Sequence, residues 1–232
     1  MTKKHEPTAT GMAVRTAIIL FVFVIVFTSL LAGAYLWTRP ALEASAIQEK
    51  MKLIDEVLPR SAYDNDLLKD ALELPAEPLL GTDGPTTLYR ARMGTQPVAL
   101  VFEAVAPDGY SGRIRLLVSV GFDGAIGGVR VTQHKETPGL GDYIEPKKDK
   151  NKANPWIAQF NGLSYAAVTD KEWKVKKDGG RFDFMAGATV TPRAIVKAVR
   201  KATRFVAENQ ERLYAPRQES TQERTQNSED SR

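Results

Sequence analysis

Apolar and polar positions divide the chain into stretches of different period. Residues 16–37 read TAIILFVFVIVFTSLLAGAYLW and contain no charge. At about 1.5 Å rise per residue, roughly 20 helical residues cross a hydrocarbon layer of about 30 Å. The run therefore predicts one membrane-spanning helix. Arg15 and Arg39 bracket it, and Tyr35 and Trp37 lie where an aromatic belt would sit. Ala32, Gly33 and Ala34 would suit a signal-peptide cleavage site. The apolar run, however, exceeds the usual signal core of about 7–15 residues, which favours an uncleaved anchor. Lys3, Lys4 and Arg15 precede the span, while Arg39, Lys50 and Lys52 follow it. The expected orientation is a cytoplasmic N-terminus with the bulk of the chain outside the cytoplasm.

Beyond Pro40, Leu42, Ile47, Met51, Ile54 and Leu58 recur near helical spacing until Pro59, predicting an amphipathic helix that continues out of the membrane. Residues 74–85 are rich in Pro and Gly and read as loop. The period then changes to two. Residues 98–106 form an apolar run, and Ile114, Leu116, Val118 and Val120 alternate with Arg113, Arg115, Leu117 and Ser119. Asp123 and Gly124 signal a tight turn, after which residues 126–131 return as a partner strand. Trp156, Ile157 and Phe160 suggest a short apolar-faced helix. Thr191 as N-cap and Pro192 at the first helical position open a longer one, with an apolar stripe of Ile195, Val196, Val199 and Phe205 beside Arg200, Lys201 and Arg204. The predicted class is α+β: an antiparallel sheet with flanking helices, preceded by one transmembrane helix. The expected organisation is a cytoplasmic N-terminus (1–15), the span (16–37), an amphipathic helix and connector (38–75), a globular domain (76–215) and a disordered polar tail (216–232).

Composition narrows the chemistry. Among 232 residues, 32 are basic and 28 acidic, leaving a net charge of +4 that does not mark a nucleic-acid-binding polycation. The KKDKNK run at 147–152 reads as a solvated loop. There is no cysteine, so disulfides, thiol catalysis and cysteine-ligated iron–sulfur clusters are excluded from this chain. His5 and His134 are too far apart to suggest a zinc motif, and no metal site is expected. Redox chemistry in this chain requires an organic cofactor or a metal held by a partner.

The segment before the last helix is the candidate site. Gly187 permits backbone angles closed to other residues and lets main chain approach a ligand. Ala188 adds little bulk, and Thr189 presents a hydroxyl beside the positive end of the helix dipole. A phosphate there would meet free backbone N–H groups. The same G-A-T-x-T-P string also reads as a plain helix start with two cap candidates. A second irregular segment spans 134–141. On local chemistry alone, Pro138 and Gly139 form a turn, Glu136 is an exposed carboxylate and His134 a strand-end histidine.

Residues 183–189, with Asp183, Ala186, Gly187, Ala188 and Thr189 in the pattern D-x-x-A-G-A-T, resemble the flavinylation signature D-x-x-[S/T]-G-A-T of FMN-binding domains. In that family a flavin transferase moves FMN from FAD onto the last threonine as a phosphoester. The resemblance implies FMN covalently attached to Thr189, with Asp183 belonging to the transferase's recognition sequence. Ala186 departs from the usual Ser or Thr and leaves the acceptor hydroxyl intact. The 134–141 segment resembles the H-x-E-T-P-G-L-G loop of the same domains. It implies a loop lying against the flavin, with His134, Glu136, Thr137, Gly139 and Leu140 at or near the ring. The single N-terminal span, the YDNDLL string at 63–68 and APDGYSG at 106–112 extend the resemblance to the G-subunit family of the Rnf ion-translocating electron-transport complexes. The C subunit of the sodium-translocating NADH:quinone reductase is the related alternative.

The resemblance implies a single-pass protein of the bacterial inner membrane with a periplasmic domain. Its expected partners are the other membrane and peripheral subunits of the complex and, during maturation, the flavin transferase. No catalytic residue beyond the flavin and no independent turnover are expected. The span carries no carboxylate, so it offers no ion path of the usual kind, and ion movement is expected in other subunits. A stand-alone flavin reductase and a non-redox membrane-anchored binding module are the competing readings.

Overall fold

The computed structural model describes residues 9–215. Residues 1–8, with His5, and the polar tail expected from Pro216 lie outside the described residues. The chain divides into two compact units between Met51 and Lys52.

The first unit is helical. Helix α1, Ala9–Val57, contains the whole uncharged run and continues through Pro40. Residues 10–57 form a helix long and apolar enough to cross a membrane. Its apolar side chains from Ile18 to Trp37 are exposed, and Phe23 stacks on Phe27. Pro40 removes one backbone donor from the ladder. The Thr38 hydroxyl donates to the carbonyls of Ala34 and Tyr35 just before it, at 2.9 and 3.3 Å.

The second unit is built on a five-stranded antiparallel sheet in simple sequence order. Its strands are β1 (Ala71–Leu74), β2 (Thr86–Met93), β3 (Gln96–Gly109), β4 (Gly112–Gly121) and β5 (Ile126–Gln133). The expected α+β class and antiparallel pairing are both present. Asp123 and Gly124 make the predicted β4–β5 turn, with Gly124 at φ +80° and the Gly121 N–H donating to Ala125. Strands β1 and β2 go beyond the expected elements. Their sequence hides them, because β2 buries Arg90 (2% exposed) between Tyr89 and Ala91 instead of alternating apolar with polar. Asp70 makes that burial possible: it pairs with Arg90 and, at 2.6 Å, with Arg92. The YDNDLL string has a structural job here. Tyr63 and Leu67 are buried, and the Asn65 amide bonds the Arg90 carbonyl and the Arg92 N–H across a register shift in β2.

Helix α2, Val190–Tyr214, packs on the face carrying Leu100, Phe102, Ala104, Leu116 and Val118. Its apolar stripe includes Ile195, Val199 and Phe205, all essentially without exposure. The other face, marked by Ser119, receives the last residues of α1, 52–57, which belong to this second unit; there the Ser119 hydroxyl donates to the Val57 carbonyl at 2.6 Å. A side chain at Gly128 would place its Cβ 2.9 Å from the Val57 Cα, so glycine is what lets this backbone sit on the sheet. The predicted short helix is a 3-10 turn, Trp156–Phe160, with Trp156, Ile157 and Phe160 buried. The KKDKNK loop is mostly solvated, but its Asp149 is buried and accepts the N–H groups of Asn151 and Trp156 at 2.9 and 2.6 Å.

Candidate functional site

The segment 183–189 is held by its backbone. The Trp156 indole N–H donates to the Asp183 carbonyl at 2.7 Å, and the Gln159 side-chain oxygen accepts the Asp183 N–H at 2.8 Å. The Met185 N–H donates to the Tyr143 hydroxyl at 3.4 Å. Burial pushes the Tyr143 phenol up to about 12, against the Met185 hydrogen bond, so it stays protonated at neutral pH. The Asp183 carboxylate itself faces outward and pairs with Lys176. Ala186 is exposed as well.

A turn follows. The Ala188 N–H donates to the Met185 carbonyl at 3.0 Å, with Gly187 at φ +87°. A bonded turn with a left-handed third residue has the type II form, which favours glycine at that place. The 134–141 loop repeats the device. The Leu140 N–H donates to the Thr137 carbonyl at 3.2 Å, with Pro138 second and Gly139 third at φ +73°. The two turns face each other: a Cβ on Gly187 would lie 3.8 Å from Leu140 Cδ1.

Thr189 occupies the cap position of α2 but makes no side-chain capping bond. No hydrogen bond among the described residues engages its hydroxyl. Helix geometry also leaves the N–H groups of Val190 and Thr191 without intrahelical acceptors, and Pro192 has none to offer. The expected cap at Thr191 is corrected here. Helix α2 begins two residues earlier than expected, at Val190, and Thr191 is buried within its first turn. Its hydroxyl donates to the Glu136 carboxylate instead of closing the helix end. Pro192 remains in the first turn, where its missing N–H does no harm.

Glu136 overturns the exposed-carboxylate reading. It is 4% exposed and joins three chain segments. It accepts the Ser111 N–H at 3.0 Å from the β3–β4 hairpin and the Thr191 hydroxyl from α2. Gly109 and Gly141 leave room for it, since a Cβ on either would approach its oxygens to 2.9 and 3.0 Å. One oxygen is thus tied to the hairpin and the other to the first turn of α2. His134 stands behind the loop. Its Nδ1 accepts the Glu136 N–H at 2.9 Å, so the ring proton lies on Nε2, which contacts Glu145 at 2.5 Å. Burial pushes the Glu145 carboxyl up, but hydrogen bonds from Lys148 and His134 outweigh this and hold it below the ordinary carboxylate range.

These pieces enclose a cleft of about 390 Å³, counting the open space at its mouth. Of the expected site residues, Glu136, Thr137, Leu140, Gly187, Ala188 and Thr189 line it, while His134, Gly139 and Asp183 do not. Tyr110, Gly141, Val190 and Thr191 also line it and were not among the expected site residues. Tyr110 sits inside the APDGYSG string, so an aromatic at a hairpin tip was the signal that could have marked it.

The residues fit a flavin phosphate and ring. The Thr189 hydroxyl is unpartnered at the positive end of a helix with backbone N–H groups beside it, and Tyr110, Leu140 and Val190 give the cleft apolar walls. An α+β sheet domain with this site defines a class. Residues 109–204, which contain the whole cleft, match the FMN-binding domain family. The likeness then extends past that domain. The chain is 46% identical over 202 residues to the G subunit of the ion-translocating oxidoreductase complex of Pseudomonas aeruginosa, covering 87% of this chain and 92% of that one. It is 40% identical over 200 residues to the protein of the same name from Vibrio cholerae, covering 86% and 93%. With that from Pseudoalteromonas atlantica it shares 39% over 201 residues, covering 87% and 91%. The chain belongs to the G-subunit family of these complexes.

Proposed function

We propose that this chain is the membrane-anchored flavoprotein subunit of an ion-translocating oxidoreductase complex, holding FMN covalently through a phosphoester on Thr189 and relaying electrons between other subunits. The observation that carries this reading is the Thr189 hydroxyl, unpartnered at the head of α2 in a cleft of the FMN-binding domain. FMN supplies one- and two-electron redox chemistry when bound.

The chain's own part is to hold and shield. The Gly187 turn brings main chain to the acceptor, and the N-terminal N–H groups of α2 would receive the phosphate. Glu136 fixes the loop, the hairpin and the helix start around it. Asp183, outward-facing on a backbone anchored by Trp156 and Gln159, is available for the flavin transferase during maturation. The apolar segment at 16–37 serves as a single-pass anchor in the bacterial inner membrane, with the N-terminus cytoplasmic and the FMN-binding domain periplasmic. A covalent bond keeps the cofactor from being lost on that side.

Intact mass of the full chain from cells that contain the transferase tests the attachment. The expected mass is that of the chain plus FMN less one water, and Thr189→Val should carry neither the increment nor in-gel flavin fluorescence. Flavin retained on the Val variant would place the attachment elsewhere.

A further inference from the structure

Among the described residues beyond α1, six large apolar side chains are exposed: Leu68, Met93, Tyr110, Phe122, Leu140 and Val190. Three of these, Tyr110, Leu140 and Val190, line the Thr189 cleft. Exposed apolar area gathered on one small feature marks a place that something else covers. Tyr110 is the most open, at 69% exposed. It is also fixed in place. The next residue, Ser111, is tied to the Glu136 carboxylate, and Asp108 pairs with Lys197 of α2 at 2.6 Å. The Tyr110 ring is paired with no other aromatic ring among the described residues. An aromatic ring held out on a pinned hairpin, over a cleft that also exposes Leu140 and Val190 beside its threonines, suits a flat ring system better than a flexible chain.

We propose that Tyr110 is a flavin-contact residue, its ring packed against the isoalloxazine of the FMN on Thr189, with Leu140 and Val190 as the aliphatic walls. This rests on the attachment to Thr189 proposed above. The contact covers part of the ring from water without adding a charge beside it.

The test uses flavin fluorescence. A phenol in contact with the excited isoalloxazine passes one electron to it and takes it back without light emission, which quenches the flavin; a phenylalanine ring of the same shape is too hard to oxidise to do so. Full-length wild type, Tyr110→Phe and Tyr110→Leu are purified in detergent from transferase-containing cells. Flavin per chain comes from intact mass and absorbance after denaturation. Native fluorescence yield is then read against each sample's own denatured yield. Equal flavin content is expected in all three, with a quenched native yield in wild type that rises several-fold in both variants. Tyr110→Phe keeps the ring's shape and so protects the comparison from a folding defect. Equal native yields for wild type and Tyr110→Phe at equal flavin content would overturn the contact while leaving the attachment standing. A wild-type chain without the FMN mass increment would overturn the attachment, and this proposal with it.

Discussion

Gly187 shows how narrow the local requirement at the site is. Its φ of +87° is left-handed, yet a Cβ there would find only Leu140 at an ordinary 3.8 Å. The need is conformational rather than spatial. Gly187→Ala should cost on the order of 1 kcal/mol through strain in the turn, seen as a lower denaturation midpoint, and should reduce flavin loading. Glu136 makes a different demand. Glu136→Ala leaves the buried Thr191 hydroxyl without its acceptor, a loss of about 1–3 kcal/mol, and also unties the exposed Ser111 N–H, which water can satisfy. Denaturant unfolding measures it, with Thr191→Val as the milder comparison. Glu145 gives a pH signature. Its pKa in the folded chain lies below the ordinary value of about 4.3. Its stabilising contribution is therefore present above that value and is lost as pH falls through the depressed folded one. Wild type and Glu145→Gln should differ in melting temperature near neutrality and converge at acid pH. A constant difference across the range would exclude the ionised carboxylate as the source.

At the scale of elements, α2 ties the site to the core. Thr189 stands at its cap position and its buried stripe covers the sheet, so the cleft depends on packing some distance away. Phe205 is 1% exposed, and Phe205→Ala should cost about 3–5 kcal/mol by opening a cavity between α2 and the sheet. The other end of α2 is held by charge. Arg90 donates to the Ala215 carbonyl at 2.6 Å and Arg92 to Tyr214 at 3.2 Å, while both pair with Asp70. Removing one partner of a buried pair strands the other, with losses of roughly 3–5 kcal/mol. Asp70 is still partly exposed, so Arg90→Ala should fall toward the lower end, read from the same denaturation curves. These contacts also explain which elements were legible. The period of two in β4 and the stripe of α2 follow from which face each side chain meets, and that face is apolar. Strand β2 escapes the pattern because its buried Arg90 looks, in one dimension, like a solvent-facing charge.

For the whole molecule, the two compact units divide the work. One offers a helix apolar enough to cross a membrane, and the other carries the FMN-binding domain. If the anchor is uncleaved, alkaline extraction should leave the full-length chain in the membrane pellet. Release of the mature domain into the soluble fraction would point instead to cleavage near residues 32–34. The sequence by itself determined the long apolar helix, the sheet class, the last helix and the Thr189 string, because each is written in short-range terms: hydrophobic length, period, and a glycine where a turn needs one. Tertiary structure decided the rest. It turned Thr191 from a cap into a ligand of Glu136, buried a carboxylate that local chemistry would leave in water, set His134 behind the cleft and Tyr110 on its rim. Glu136 takes its partners from Ser111 and Thr191, 25 and 55 residues away along the chain. No periodicity within a short window registers such a meeting, since the burial of a polar group depends on whether distant segments arrive with donors to satisfy it.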